Sequence, residues 1–205
     1  MSEYHHDDTQ ADLPGGLSLS EEKLRLLQPE LFGWRALLTT TSWRGGTLNA
    51  GKTRKMIAEH LILGDAMPAL VVSTTPDVLV AAYTDELDAI VLLRFDAIWA
   101  QLLHLVANLR LLTINTYGRT SFVSPDLKEG PRSLQRWTNV FPIIAETLSD
   151  DLLLIQQRKA TLDSGLWQRA QELLLEMRRA DRVSVRDGSP LRSRGPGTLS
   201  TLPKE

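Results

Sequence analysis

Three short β-type runs, ALVVS (69–73), VLVAAY (78–83) and AIVLLRF (89–95), are separated only by TTPD and TDELD. Both connectors are turn chemistry, rich in Thr, Pro and Asp. Strands that pair in parallel need a crossover of a dozen or more residues, usually a helix. Connectors this short permit only hairpins, so residues 69–95 are expected to form an antiparallel meander. That constraint weighs against an architecture whose centre is a parallel βαβ sheet, and the rest of the chain is expected to pack around the meander.

The flanks supply helices. In SLSEEKLRLLQPELF, Ser18 or Ser20 can cap a helix whose first turn holds Glu21 and Glu22. RALLTTTSW is rich in Thr and Leu and suits a strand. In GKTRKMIAEHLIL, Met56, Ile57, Leu61 and Ile62 recur at helical spacing, with Gly64 as a stop and Pro68 as a second breaker. Beyond the meander, DAIWAQLLHLVANL predicts a helix capped by Asp96, and RLLTINTYG predicts a strand ended by Gly118. The long segment RTSFVSPDLKEGPRS reads as a loop, and LQRWTNVFPIIAETL as helix in two pieces around Pro142. In DSGLWQRAQELLLEMRRAD, Leu166, Ala170, Leu173, Leu174 and Met177 share one helical face. The expected class is α+β: a mostly antiparallel sheet, the three-strand meander plus one or two further strands, packed by helices.

Composition sets the boundaries. Residues 1–17 are polar and acidic and end in LPGGL, which predicts a disordered arm. Residues 186–205 are rich in Gly, Pro, Ser and Arg and predict a disordered basic tail. A single domain is expected between them, over residues 18–185; 42% of the 205 residues are hydrophobic, enough for a sizeable core. With no cysteine, thiolate metal sites, disulfides and cysteine nucleophiles are excluded. A net charge of −2 gives no global field toward nucleic acid or anionic membrane. No secretory h-region and no apolar run long enough to span a bilayer is present, so a soluble, cytoplasmic protein without membrane contact is expected.

Residues 46–53 read GTLNAGKT, which fits G-x-x-x-x-G-K-[ST]. With its asparagine, the stretch resembles the G-x-x-N-x-G-K-[ST] loop found in many P-loop GTPases, over these eight residues and no more. The resemblance implies Lys52 as the phosphate lysine and Thr53 as the Mg²⁺ ligand, with the backbone N–H groups of Asn49 to Lys52 as a cradle. It would make the protein a small P-loop NTPase or phosphotransferase with ATP or GTP and Mg²⁺ as cofactor. Such a loop follows a strand of a parallel sheet, and the meander provides none; no DxxG or N/TKxD element follows it in the chain either.

A second reading asks less of the fold. Arg44, Lys52, Arg54 and Lys55 are not interrupted by any acidic residue between Leu37 and Ala58. Three of these cations crowd a helix N-terminus, where the macrodipole already favours anions. On this reading Arg44, Gly46, Asn49, Gly51, Lys52, Thr53, Arg54 and Lys55 form an anion-binding loop without a cofactor. The protein is then a non-catalytic binding or regulatory protein that recognises an anionic group or an acidic partner. The bland alternative is a solvated basic turn, or one paired with the acids of TDELD or SDD.

Other residues carry weaker signals. Asp85, Glu86 and Asp88 could offer oxygen ligands to a divalent cation, although acidic turns are normally empty. His5, His6, Asp7 and Asp8 fall in the expected arm, and His60 and His104 have no ligand spacing around them. Trp34, Trp99, Trp137 and Trp167 suit a core, while Trp43, next to Arg44, could stack on a ligand. The segment 178–197 holds six arginines and two aspartates, so only the basic tail could attract nucleic acid.

Overall fold

The computed structural model describes residues 11–33, 41–43, 46–118, 124, 126, 127, 137–180, 183–190 and 198–200. The meander forms as expected: β3 (Asp65–Ser73), β4 (Val78–Thr84) and β5 (Ala89–Phe95) pair antiparallel in sequence. On the other side of β3 lies β6 (Arg110–Gly118), then β7 (Asn139–Ile144), both antiparallel. Beyond β5 come β8 (Val183–Asp187), paired in parallel, and β9 (Thr198–Ser200). The sheet order is therefore β7-β6-β3-β4-β5-β8-β9, while β1 (Thr41–Trp43) and β2 (Gly46–Leu48) form a separate antiparallel ribbon.

The helices are α1 (Glu21–Leu27), α2 (Ala50–Leu63), α3 (Ile98–Leu102), α4 (Leu152–Thr161) and α5 (Ser164–Arg178). The Ser20 hydroxyl caps α1 by accepting from the Lys23 amide. Every residue of β3 and β4 is buried, because the sheet is covered on both faces. On one face Leu70, Val72, Ala81, Leu92 and Ile114 meet Leu24, Ile57, Leu61, Ile155, Trp167 and Leu174 from the helices. On the other, Val71, Val80, Val91, Leu93 and Val140 meet Trp99, Leu105 and Trp137. The result is an α+β fold.

The second face is concave. Arg186 on β8 donates from Nη1 to the Val140 carbonyl on β7 at 2.9 Å. Those two strands stand five places apart in the sheet order, about 24 Å if the sheet were flat. One arginine side chain bridges them only because the sheet curls on itself. The Arg186 side chain is fully buried and its guanidinium donates twice to Asp126.

Several expectations are corrected. Residues 139–144 are strand, not helix around Pro142. NVFPII is a short run of β-type residues at the end of the sheet, where a missing N–H leaves no ladder bond unmade. The helix after Asp96 is only five residues long; His104 at φ 51° and Asn108 at φ 64° turn the chain out of it. Asp96 does accept from the Ile98 amide, at 2.9 Å.

Pro68 lies inside β3 rather than before it as a breaker. The Ala66 amide points to Leu13 and the Val71 amide to Leu109 at the β6 side, so alternation aims the Pro68 nitrogen away from β6. There β4 has already left β3, since their pairing stops at Ala69 and Ala82.

Both domain boundaries also move. Residues 11–17, given to the arm, are packed into the fold, and Leu17 is fully buried. The expected tail begins inside β8, where Arg186 spends its charge on Asp126 and is not available to nucleic acid. Residues 1–10, 191–197 and 201–205 lie outside the described residues.

Candidate functional site

The expected anion loop is placed as follows. Gly46 opens β2 and pairs with Trp43 across the ribbon. Asn49 is the N-cap of α2: its side-chain oxygen accepts from the Lys52 amide at 2.9 Å. Gly51 and Lys52 are exposed in the first turn. Thr53 is buried, and its hydroxyl donates to the Asn49 carbonyl at 3.2 Å. Lys55 pairs with Glu59 at 3.7 Å, one turn on. Arg44 lies outside the described residues, as do the side chains of 41–43 and 46–48, so the expected role of Trp43 falls there too.

This is ribbon, cap and helix, in that order. The strand before the cap belongs to a two-stranded antiparallel ribbon, not to a central parallel sheet. The Lys52 amide, one of the donors a phosphate cradle would use, is taken by Asn49. The acids of SDD are engaged elsewhere: Asp150 pairs with Lys23 at 3.0 Å and Asp151 accepts from Ser18.

Two residues that the sequence did not single out complete the basic end of α2. Phe32 follows α1, and its ring carries the Arg54 guanidinium at 5.1 Å and the Arg25 guanidinium at 4.8 Å. Both positive charges therefore sit within about 10 Å of each other, close to the screening length of physiological salt. Among the described residues, neither arginine forms an ion pair with a carboxylate. Each cation–π contact contributes about 0.5–1 kcal/mol at an exposed site, and together they hold two like charges on one ring. No local pattern links Arg25, Phe32 and Arg54; only the fold brings the segment that follows α1 against α2.

The other end of α2 holds a second polar cluster. Helix α2 passes through Gly64 directly into Asp65, the first residue of β3. Asp65 is 7% exposed. Burial pushes its carboxyl up to about 7, helped by the negative charges of Asp85, Asp12 and Glu86 and opposed by a hydrogen bond from the Leu13 amide. Tyr117 is buried close by; burial, then the Asp65 charge, drive its hydroxyl well above the ordinary tyrosine range, and it accepts from the Thr84 hydroxyl at 3.2 Å. Asn115 donates to the Tyr83 carbonyl at 2.8 Å and accepts from the Thr113 hydroxyl at 2.9 Å. His60 holds the Ile114 carbonyl with Nε2 at 2.9 Å, which places a proton on that nitrogen.

The acidic turn is bound up in structure. Arg169 on α5 grips Asp88 with two hydrogen bonds, at 3.0 and 2.9 Å. Among the described residues, no three His, Asp or Glu side chains are arranged to hold a metal ion, and no helix is long and apolar enough to cross a membrane.

Comparison with protein-family models, with curated proteins and with solved structures finds no match to this chain.

Proposed function

We propose that the protein is a non-catalytic, cytoplasmic binding protein that recognises an acidic partner through the basic end of α2. The observation that carries this reading is the pair of guanidinium groups over Phe32, held without a carboxylate among the described residues. The exposed Lys52 ammonium adds a third positive charge on the same helix turn as Arg54. An arginine fixed on an aromatic ring keeps its planar N–H fork free for a carboxylate or phosphate and loses little freedom on binding. The N-terminal dipole of α2 favours the same sign of ligand. The cytoplasmic setting accords with a chain free of cysteine.

The P-loop alternative gains no support from the geometry, because its strand context is missing and its lysine amide is occupied. A titration decides between them. A glutamate-rich peptide should bind the native protein, more weakly at high salt, and Arg25→Ala with Arg54→Ala should lower its affinity about tenfold or more. Unchanged peptide binding in that double variant would remove the reading. Mg²⁺-dependent binding of ATP or GTP, lost in Lys52→Ala, would replace it with the nucleotide one.

A further inference from the structure

Residues 11–17 run as a strap over the far end of α2. The Gly16 and Leu17 amides donate to the Ile62 and Leu61 carbonyls at 3.0 and 3.2 Å, and the Gly15 amide donates to the Gly64 carbonyl at 2.9 Å. The strap thus serves helix-end carbonyls that have no partner within the helix. It then enters the fork that β4 leaves beside β3. Pro14 bridges to Asp65, the Ala66 amide donates to the Leu13 carbonyl at 2.8 Å, and the Leu13 amide donates to the Asp65 carboxyl at 3.1 Å. Gly15 is required there, since a Cβ would collide with the Leu61 carbonyl. Leu17 in the core and Ser18 on Asp151 anchor the strap at its C-terminal side. Gly16, at φ 66°, is the joint before that anchor.

The docked strap closes Asp65 away from water, and among the described residues none offers it a cation. The titratable groups around it are the carboxylates of Asp12 on the strap and of Asp85 and Glu86 in the turn after β4, and the neutral phenol of Tyr117 on β6. The basic side chains described on neighbouring elements are directed elsewhere. Arg158 of α4 donates to the Gly15 carbonyl at 3.2 Å, and Arg169 of α5 holds Asp88. His60 of α2 holds the Ile114 carbonyl. A proton on Asp65 removes the conflict; a charge on it creates one that undocking relieves.

We propose that residues 11–16 are a pH-sensitive strap, docked on Asp65 while its carboxyl is protonated and released from the β3–β4 fork when that carboxyl ionises. Linkage fixes the direction. An aspartate in water ionises near pH 4, whereas docked Asp65 does so near 7. Docking is therefore strongest below pH 4, weakens as pH rises through the interval between the two values, and levels off above about 7. The docking constant falls by up to about tenfold per pH unit within that interval.

Backbone amide NMR of the ¹⁵N-labelled full chain tests this between pH 5 and 8. The ¹⁵N heteronuclear NOE values of Gly15 and Gly16 should fall as pH rises, with a transition ending near 7, while amides in the middle of β3 stay rigid. In Asp65→Asn, which keeps an acceptor for the Leu13 amide, the strap should stay rigid throughout. In Asp12→Asn, which removes a neighbouring negative charge from the docked state, the fall should end at lower pH and be smaller, because the interval between the docked and undocked values narrows. Rigid Gly15 and Gly16 amides at every pH in the native protein would overturn the proposal. So would an unchanged transition in Asp65→Asn.

Discussion

The Arg186–Asp126 pair holds a strongly curled sheet together, and Asp126→Asn measures what it contributes. The Arg186 side chain is 0% exposed and that of Asp126 is 4% exposed. Arg186 also donates to the Val140 carbonyl at 2.9 Å, joining β8 to β7. The substitution keeps the size of the side chain but leaves the guanidinium buried without a counter-charge. Removing one partner of a buried pair costs about 3–5 kcal/mol, a large share of the 5–15 kcal/mol typical of a whole domain. Equilibrium unfolding in urea at pH 7 reads the loss directly. The pH dependence supplies a second reading. Burial alone would raise the Asp126 carboxyl, but the hydrogen bonds and charge of Arg186 outweigh it and hold the group below its ordinary 3.8. A depressed carboxyl stabilises the fold above pH 4, and that stability is lost as pH falls through the depressed value. Asp126→Asn should therefore converge with the native protein in acid. Arg186→Met with Asp126→Leu should recover much of the loss, because an apolar pair of similar volume replaces a buried ion pair at little cost. An Asp126→Asn protein within about 0.5 kcal/mol of native at pH 7, the range of ordinary surface substitutions, would refute the role given to this pair in curling the sheet.

Two further outcomes are expected from α2. Asn49→Ala removes the cap on the Lys52 amide and should lower stability by about 1 kcal/mol, read by the same urea unfolding. Gly64→Ala should cost about 1–3 kcal/mol, because a Cβ there meets the His60 carbonyl at 2.7 Å and the Asn115 carbonyl at 2.8 Å, and backbone cannot step aside.

What the sequence revealed and what it hid follow from the range of the interactions. The meander was legible because connector length alone forbids parallel pairing, and β3, β4 and β5 pair antiparallel accordingly. The face of α5 was legible in the same way: Ala170 and Leu174 are buried, and Leu166, Leu173 and Met177 pack on the core. NVFPII was misread because periodicity over six residues cannot separate strand from helix. The strap looked like a polar arm because LPGG is loop chemistry. Gly15 instead serves close approach to the Leu61 carbonyl, and Gly16 supplies a positive φ. β8 was hidden by its charge, since Arg186 in VSVRD looks solvated until Asp126 is brought to it from sixty residues away. At the basic end, Asn49 was singled out as part of an anion loop and proves to be the cap of α2, while Phe32 and Arg25 were not legible, since nothing local ties the segment after α1 to α2.

Both proposals meet in one helix. Helix α2 has fourteen residues, so its ends stand about 21 Å apart. Its first turn holds no acidic residue but carries Lys52, with Arg54 and Lys55 just behind, and Asp65 follows its last turn by two residues. A helix dipole favours anions at the first end and cations at the second, each by about 0.3–1 kcal/mol when exposed. Here both ends carry the opposite sign. The two mismatches are resolved differently because their surroundings differ. At the N-terminus, exposed cations meet water and salt, and an acidic ligand can reach them. At the C-terminus, the strap covers the carboxyl, and a proton is the smallest partner that can remove its charge. Ionic strength separates the two. Raising salt should weaken peptide binding at Arg25 and Arg54 steeply, because the groups there lie within reach of mobile ions. The pH at which the strap loosens should move much less, because burial leads the causes of the Asp65 shift and mobile ions do not enter a buried site. If the strap transition proved as salt-sensitive as the peptide affinity, surface repulsion from Asp12, Asp85 and Glu86 would govern Asp65, and burial under the strap would not.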